Sequence, residues 1–209
     1  MKNKQTLRQM YKLAAFALVV LALMAFSACS RHDPERHFRV EPVGGVSVRI
    51  TGHTGSVWAV RIPNQIRNLP VSHIGEGAFR DRNLISVNIP NRVTSIAPHA
   101  FRYNQLTRVT IPSRVTFIGD RAFGNNLLTS ISIPNSVITI GGGAFADNQL
   151  TSVSIGNNVA SIGNNAFGNN QLTSASIPNS VTIIHPFAFS DNRLTSITIP
   201  NICTFTQNT

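Results

Sequence analysis

The chain has 209 residues, of which only 12% are charged, and its formal net charge is +10. Isoleucine, valine, leucine and phenylalanine recur along its length, which excludes a disordered polar chain. The two cysteines, Cys29 and Cys203, form no CxxC pair, so the sequence offers no thiolate metal site.

The N-terminal segment has the features of an export signal. Residues 1–12 carry four basic and no acidic side chains, and an unbroken apolar run follows over residues 13–26. That run of fourteen residues is shorter than the roughly 20 that a membrane-spanning helix needs. Small residues come after it, and the whole arrangement predicts a signal peptide over residues 1–28.

The residues SAC, which end this segment at Cys29, resemble the lipobox of bacterial lipoproteins, although Phe26 replaces the usual leucine. The resemblance implies that Cys29 is lipidated and that residues 29–40 form a polar tether to the membrane. The alternatives are ordinary secretion after cleavage at Ser27 and a disulfide between Cys29 and Cys203. The expected location is the outer surface of the cell envelope, with secretion or a periplasmic location as the alternatives.

Two strands are predicted ahead of the repeats. Apolar residues alternate with polar ones over residues 46–51 and 57–62, and a glycine-rich turn joins the two segments. We expect residues 41–62, with Trp58, to form an N-terminal cap on the first coil.

Residues 63–201 contain about six copies of one 22-residue pattern, because four apolar series keep this interval. A constant interval of this length is the signature of a solenoid. The series are Leu84, Leu106, Leu128, Leu150, Leu172 and Leu194; Ile89, Ile111, Ile133, Ile155, Ile177 and Ile199; Ile74, Ile96, Ile118, Ile140, Ile162 and Ile184; and Phe79, Phe101, Phe123, Phe145, Phe167 and Phe189.

Each repeat predicts two short strands and a bend, and hence a mainly β solenoid with short helical or 3-10 turns. Val153 and Ile155 alternate with polar neighbours, as in a half-buried strand. Val137 and Ile140 are expected to point inward from the second strand, and the Ala-Phe pair to lie on a short helical turn. Asparagine amides can satisfy backbone groups where the chain re-enters the first strand. These asparagines are Asn104, Asn126, Asn148, Asn170 and Asn192.

The pattern fails after Pro200. Cys203 stands where the repeats have valine, Thr206 stands where they have isoleucine, and no Ala-Phe pair follows. Residues 202–209 are therefore predicted to be a C-terminal partial repeat, either a crude cap or a truncation.

The pattern LxxVxIPxxVxxIGxxAF resembles the BspA-like, or treponemal-type, leucine-rich repeat over residues 51–201. The resemblance implies a right-handed coil and a cell-surface or secreted protein that adheres to host matrix proteins, host cells or other bacteria. The chain departs from many members in carrying asparagine, such as Asn148, where those often have cysteine. The alternative function is a structural or periplasm-facing envelope lipoprotein without a host ligand.

No motif indicates catalysis, so we expect neither enzyme activity nor a cofactor. The six histidines occupy different repeat positions and predict no metal site. The glycines at 141–143 lie at a bend, where conformational freedom explains them better than phosphate binding does. Nucleic acid is not an expected partner.

The basic residues are concentrated in the N-terminal coils. Thirteen of the fourteen arginines that follow the signal segment precede residue 122. This charge favours an acidic protein or an acidic glycan as partner, although it would also serve solubility alone. The candidate binding residues are two pairs of arginines, each pair at one repeat position, and one further arginine on a strand. Replacing the four paired arginines by serine is expected to weaken binding and to reduce its dependence on salt. The five candidates are Arg80, Arg92, Arg102, Arg108 and Arg114.

The outer face of the first strand carries a ladder of hydroxyl groups. Threonine recurs at one repeat position from Thr107 to Thr195, and serine recurs beside it from Ser86 to Ser196. Such a face can offer weak hydrogen bonds to protein or glycan, and it also resembles the faces of ice-binding solenoids. The simplest interpretation is the solvation of a β surface.

Overall fold

The structure is a computed structural model that describes residues 33–201 and 203–205. The predicted signal peptide and the predicted lipidation site Cys29 lie outside these residues. The part described contains no helix with the length and apolar character needed to cross a membrane. Its elements are a 3-10 helix (Glu35–His37) and the strands β1 (Phe38–Val43), β2 (Ser47–His53), β3 (Ala59–Arg61), β4 (Gln65–Ile66), β5 (Leu69–Ile74), β6 (Ser86–Asn88), β7 (Ser95–Ile96), β8 (Phe117–Ile118), β9 (Ser130–Ser132), β10 (Thr139–Ile140), β11 (Ser152–Ser154), β12 (Ser161–Ile162), β13 (Ser174–Ser176), β14 (Ile183–Ile184), β15 (Ser196–Thr198) and β16 (Thr204–Phe205).

One sheet runs along the solenoid, in the order β1-β2-β5-β7-β8-β10-β12-β14-β16, with β4 paired to β5. Its strands from β2 onward pair in parallel along this order, and Ile74 lies opposite Ile96 just as Ile118 lies opposite Ile140. The two residues of each pair are one 22-residue repeat apart, and we call each such repeat one coil. Because equal repeat positions lie side by side, the predicted solenoid is confirmed.

The apolar series form one continuous core. The phenylalanines from Phe79 to Phe167 are fully buried, as are Val137 and Ile140 from the second strand. Adjacent rings from Phe79 to Phe189 lie 5.1–5.5 Å apart between centroids, with their planes within 14° of parallel. Stacked aromatic rings at this spacing attract one another beyond the area they bury.

The first strands of the coils form a less regular surface. They form three separate two-stranded sheets, which are β3 with β6, β9 with β11 and β13 with β15. Residues 108–110, at the equivalent position between β6 and β9, are not in a strand. Arg108 therefore lies in an irregular segment of this face.

The Ala-Phe bend, which connects the second strand of one coil to the first strand of the next, consists of consecutive tight turns. In one coil the N–H of Ala144 donates to the carbonyl of Gly141 at 3.2 Å, and that of Ala146 donates to the carbonyl of Gly143 at 3.0 Å. Two residues of each bend have φ between 51° and 61°. The short turns expected here are thus present as hydrogen-bonded turns and not as 3-10 helix. The residues with positive φ are Gly77, His99, Arg121, Gly143, Asn165 and Phe187 at one position, and Asp81, Tyr103, Asn125, Asp147, Asn169 and Asp191 at the other.

The predicted asparagine ladder is confirmed. Asn148 accepts a hydrogen bond from the N–H of Leu128 at 3.0 Å and donates to the carbonyls of Phe123 at 3.0 Å and Phe145 at 3.1 Å. Each such amide joins two coils through backbone groups that have no strand partner. Arg82 occupies this position in the first coil and donates instead to the carbonyl of His53.

The N-terminal cap differs from the prediction. Residues 35–43, which overlap the expected tether, form the 3-10 helix and β1, and β1 pairs with β2 antiparallel. β3 pairs with β6 and not with β2, so it belongs to the array. Trp58 is 58% exposed, whereas Phe38 and His53 are buried against Phe79. The cap therefore contacts the core through Phe38 and His53.

The last coil keeps the repeat only in part. The N–H of Cys203 donates to the carbonyl of Pro200 at 3.1 Å, as that of Val181 does to Pro178, which confirms that Cys203 occupies the valine position. Ile184, however, pairs with residue 205, one position before the predicted Thr206. Cys203 packs against the core and forms no disulfide within the described residues, and burial raises the pKa of its thiol.

Candidate functional site

The five candidate arginines lie on three different parts of the coil. Arg92 and Arg114 are exposed in the turn that follows the Ile-Pro pair, which connects the two strands of a coil. Arg108 is exposed on the irregular part of the first-strand face. Only Arg80 and Arg102, both on the Ala-Phe bend, come together around a shared neighbour.

That shared neighbour is Tyr103. The guanidinium carbon of Arg102 lies 4.3 Å from the centre of the tyrosine ring, and that of Arg80 lies 5.5 Å from it. Both distances are within the range of cation–π attraction. We call Arg80, Arg102 and Tyr103 the basic cluster. Tyr103 is 42% exposed, so the cluster faces solvent.

The basic cluster is partly fixed in position and is not neutralised. The Nε of Arg102 donates to Oδ1 of Asn125 at 3.2 Å, which orients its guanidinium. Neither Arg80 nor Arg102 forms an ion pair with an acidic side chain in the described part of the chain. The outer N–H groups of both guanidiniums are therefore available to a ligand.

His99 and Arg121 adjoin this cluster on the bend. Burial lowers the pKa of His99, and the charges of Arg102, Arg80 and Arg121 lower it further, whereas Glu76 opposes them. The Nδ1 atom of His99 is buried and has no hydrogen-bond partner within the described residues. His99 is thus neutral near pH 7, and the positive charge here belongs to arginine.

The role of Tyr103 was not predicted from the sequence, although a signal was present. Its bend position holds aspartate or asparagine in every other coil, from Asp81 to Asp191. Beyond Tyr103 these residues bond to one another, since Asp147 accepts from Asn125 at 3.1 Å and from Asn169 at 2.6 Å. A tyrosine that breaks a polar ladder beside two stacked arginines marks a local specialisation.

The repeats of this solenoid match those of a known family. Residues 72–195 match the BspA type leucine rich repeat region, in six copies. The chain belongs to the BspA-type leucine-rich repeat family. No curated protein gives a significant match to the sequence.

Three solved structures are similar to this BspA-type protein. A leucine-rich repeat protein from Bacteroides ovatus ATCC 8483 has a TM-score of 0.64 and 22% identity, over 84% of this chain and 54% of its own. A leucine rich cell surface protein from Faecalibacterium prausnitzii A2-165 has a TM-score of 0.62 and 28% identity, over 81% of this chain and 54% of its own. The T. pallidum leucine rich repeat protein has a TM-score of 0.59 and 23% identity, over 84% of this chain and 86% of its own. The chain thus spans about half the length of the first two.

The hydroxyl face of this BspA-type protein is partly used within the solenoid. Thr151 Oγ1 donates to the carbonyl of Thr129 at 3.2 Å, and Thr195 does the same to Thr173. These hydroxyls join successive coils, so fewer of them are free for a ligand than the sequence alone suggests. The basic cluster is the stronger candidate site.

The histidines of the BspA-type solenoid do not assemble into a metal site in the described residues, where no group of three or more His, Cys, Asp and Glu side chains converges. His53 is fully buried in the cap, and neither of its ring nitrogens has a hydrogen-bond partner within the described residues. Burial lowers its pKa, and His37 and Arg82 lower it further, whereas Asp33 opposes them. The folded cap therefore holds His53 neutral.

This cap is expected to lose stability in acid. The pKa of His53 is lowered from 6.5 on folding, so the unfolded chain binds more protons below about pH 6.5, and unfolding becomes more favourable there. We expect a lower urea midpoint at about pH 5 than at about pH 7.5. His53→Phe, which suits the ring contacts with Phe38 and Phe79, should reduce this difference. An unchanged difference in the variant would show that other groups, such as His73 and His99, cause the acid sensitivity.

Proposed function

We propose that this protein is an exported interaction module, anchored at the outer cell surface through Cys29, which binds an acidic protein or acidic glycan through the basic cluster. The observation that carries the proposal is the pair of guanidiniums held on one exposed tyrosine ring with no acidic neighbour bonded to them. A solenoid presents such a group on a rigid, extended surface, as repeat proteins do when they bind partners.

The chemistry of the cluster suits carboxylate or sulfate groups. A guanidinium presents parallel N–H donors that match two oxygens of one anionic group, and such charge-assisted bonds are stronger than neutral ones. The ring contact of Arg102 and its bond to Asn125 restrict the side chain before binding. Less conformational entropy is then lost when the ligand arrives.

The proposed location draws on the export signal and the lipobox resemblance at Cys29. The similar protein from Faecalibacterium prausnitzii is described as a cell surface protein, which supports the same location for this chain. Adhesion to a host or bacterial surface is then the role that an exposed anion-binding module would serve.

The test uses the full chain displayed on cells, with binding to heparin, hyaluronan and poly-glutamate measured at several salt concentrations. Arg80→Ser combined with Arg102→Ser should weaken binding by about tenfold or more and flatten its salt dependence, because two charge-assisted contacts are lost. The matched control is Arg92→Ser combined with Arg114→Ser, which removes the same charge from another turn and should change binding only slightly.

Four outcomes would contradict the proposal. Equal weakening by both double variants would show that the overall field binds the ligand and the cluster does not. Retained binding in the Arg80 and Arg102 variant would exclude the cluster. Protease resistance of the protein on intact cells, or no release into the medium after Cys29→Ser, would argue against an outward-facing lipid anchor and favour a periplasm-facing envelope protein.

A further inference from the structure

A second feature of the Ala-Phe bends is an open groove of about 590 Å³ that begins at His99 and Arg121 and ends at Phe187 and Asp191. It runs along the solenoid across successive coils, in the size range of small-ligand sites. Gly142 and Gly143 line its middle, where every other coil has at least one larger side chain at these two positions. The side chain of Arg121 lies over Gly143, where an added Cβ would come within 3.0 Å of its Cγ.

Phe187 is the unusual residue at the far end of this groove. Its φ is +59°, and its side chain is 59% exposed. A bulky residue in the left-handed region is disfavoured by roughly 1–3 kcal/mol, and burial does not offset this cost here. Asparagine stands at the same position one coil earlier, as Asn165, so the backbone does not require an aromatic residue. The ring is therefore better explained by what it can contact outside the protein.

The polar groups along the groove have free hydrogen-bonding capacity. Oδ1 of Asp120 accepts a bond from the N–H of Gly142 at 2.7 Å, which leaves Oδ2 open. The side chains of Asp191 and Asn164 form no hydrogen bond within the described part of the chain. The lining thus carries two carboxylates and the amides of Asn164 and Asn165. Its one arginine, Arg121, lies with His99 at the end that adjoins the basic cluster.

We propose that this groove binds a neutral oligosaccharide that lies along the solenoid axis. A sugar ring has an apolar face of C–H groups, which can stack on Phe187, and hydroxyls at its edge, which can donate to the carboxylate of Asp191. Asp120 lies three coils earlier and can accept from the hydroxyls of a sugar unit further along the groove. The groove continues across the neighbouring coils, which gives room for further sugar units. The carboxylates of Asp120 and Asp191 disfavour the polyanions expected at the basic cluster, so the two sites can be tested separately.

The test measures binding of five probes to the purified protein by calorimetry and by NMR: maltohexaose, cellohexaose, laminarihexaose, mannohexaose and chitohexaose. At least one is expected to bind, with little dependence on salt because no charge is paired. Phe187→Asn should weaken that binding by about tenfold or more, as the loss of a central contact residue does. Phe187→Tyr keeps the aromatic face and should retain binding.

The matched control is Phe117→Asn, which removes a phenylalanine that is 37% exposed on β8, away from the groove. It should leave saccharide binding unchanged. Because asparagine already occurs at this bend position in Asn165, Phe187→Asn should fold, and its thermal unfolding verifies this. The proposal is overturned if no hexasaccharide binds, if Phe187→Asn binds as well as the original chain, or if Phe117→Asn causes the same loss. Each of these results is independent of heparin binding by the basic cluster.

Discussion

Replacement of Asn148 by alanine is expected to lower the free energy of unfolding by about 1–3 kcal/mol. The side chain of Asn148 is buried, and alanine would leave the N–H of Leu128 without its partner. The carbonyls of Phe123 and Phe145 would lose one of two amide donors, because Asn126 and Asn170 also donate to them. Each buried backbone group that loses its hydrogen bond costs about 1–3 kcal/mol. Urea denaturation followed by circular dichroism measures the loss.

The matched control is Asn158→Ala. Asn158 is exposed in a turn of the following coil, and its side chain forms no hydrogen bond within the described residues. This substitution should change the free energy of unfolding by no more than about 0.5 kcal/mol. If the two variants lose equal stability, the amide ladder is not what joins the coils.

The repeating part of the fold was predictable from the sequence because every coil must satisfy the same constraints. A 22-residue interval in four apolar series leaves one way to bury them, which is to place each coil on the one before. The role of the asparagines followed from the same argument, since backbone groups outside the strands still need partners. Asn148 and its equivalents do what the pattern indicates.

The non-repeating parts were predicted less well, because no periodicity constrains them. The polar sequence around Phe38 resembles a tether, yet Phe38 covers the end of the phenylalanine stack through contacts with distant residues. Trp58 was assigned to the cap on hydrophobicity alone, and it lies exposed. Local sequence does not reveal which apolar residue reaches an uncovered core.

The candidate site shows the same limit. The sequence identifies Arg80 and Arg102 as a stacked pair because they share a repeat position. It also places Arg92 and Arg114 on a separate turn, after the Ile-Pro pair, because they share another repeat position. It does not indicate the role of Tyr103, whose position in the left-handed region brings its ring beside both guanidiniums. Functional specialisation occurs where one coil departs from the others.

The second large effect is expected at the phenylalanine stack, where the cost of a substitution should depend on the position of the coil. Phe145 is fully buried and stacks on Phe123 and Phe167, with both centroid distances at 5.5 Å. Phe145→Ala removes these ring contacts and leaves a cavity that neighbouring coils cannot close, because their backbones are paired on both sides. We expect a loss of about 3–5 kcal/mol in urea denaturation.

The same substitution at Phe189 is the matched comparison. Phe189 is only half-buried, and among the described residues it stacks on Phe167 alone. Because each coil of a solenoid is stabilised by its immediate neighbours, Phe189→Ala should cost less than half as much as Phe145→Ala. Equal losses at the two positions would mean that the stack acts as one cooperative unit. The stability of this protein would then not be a sum of contacts between adjacent coils.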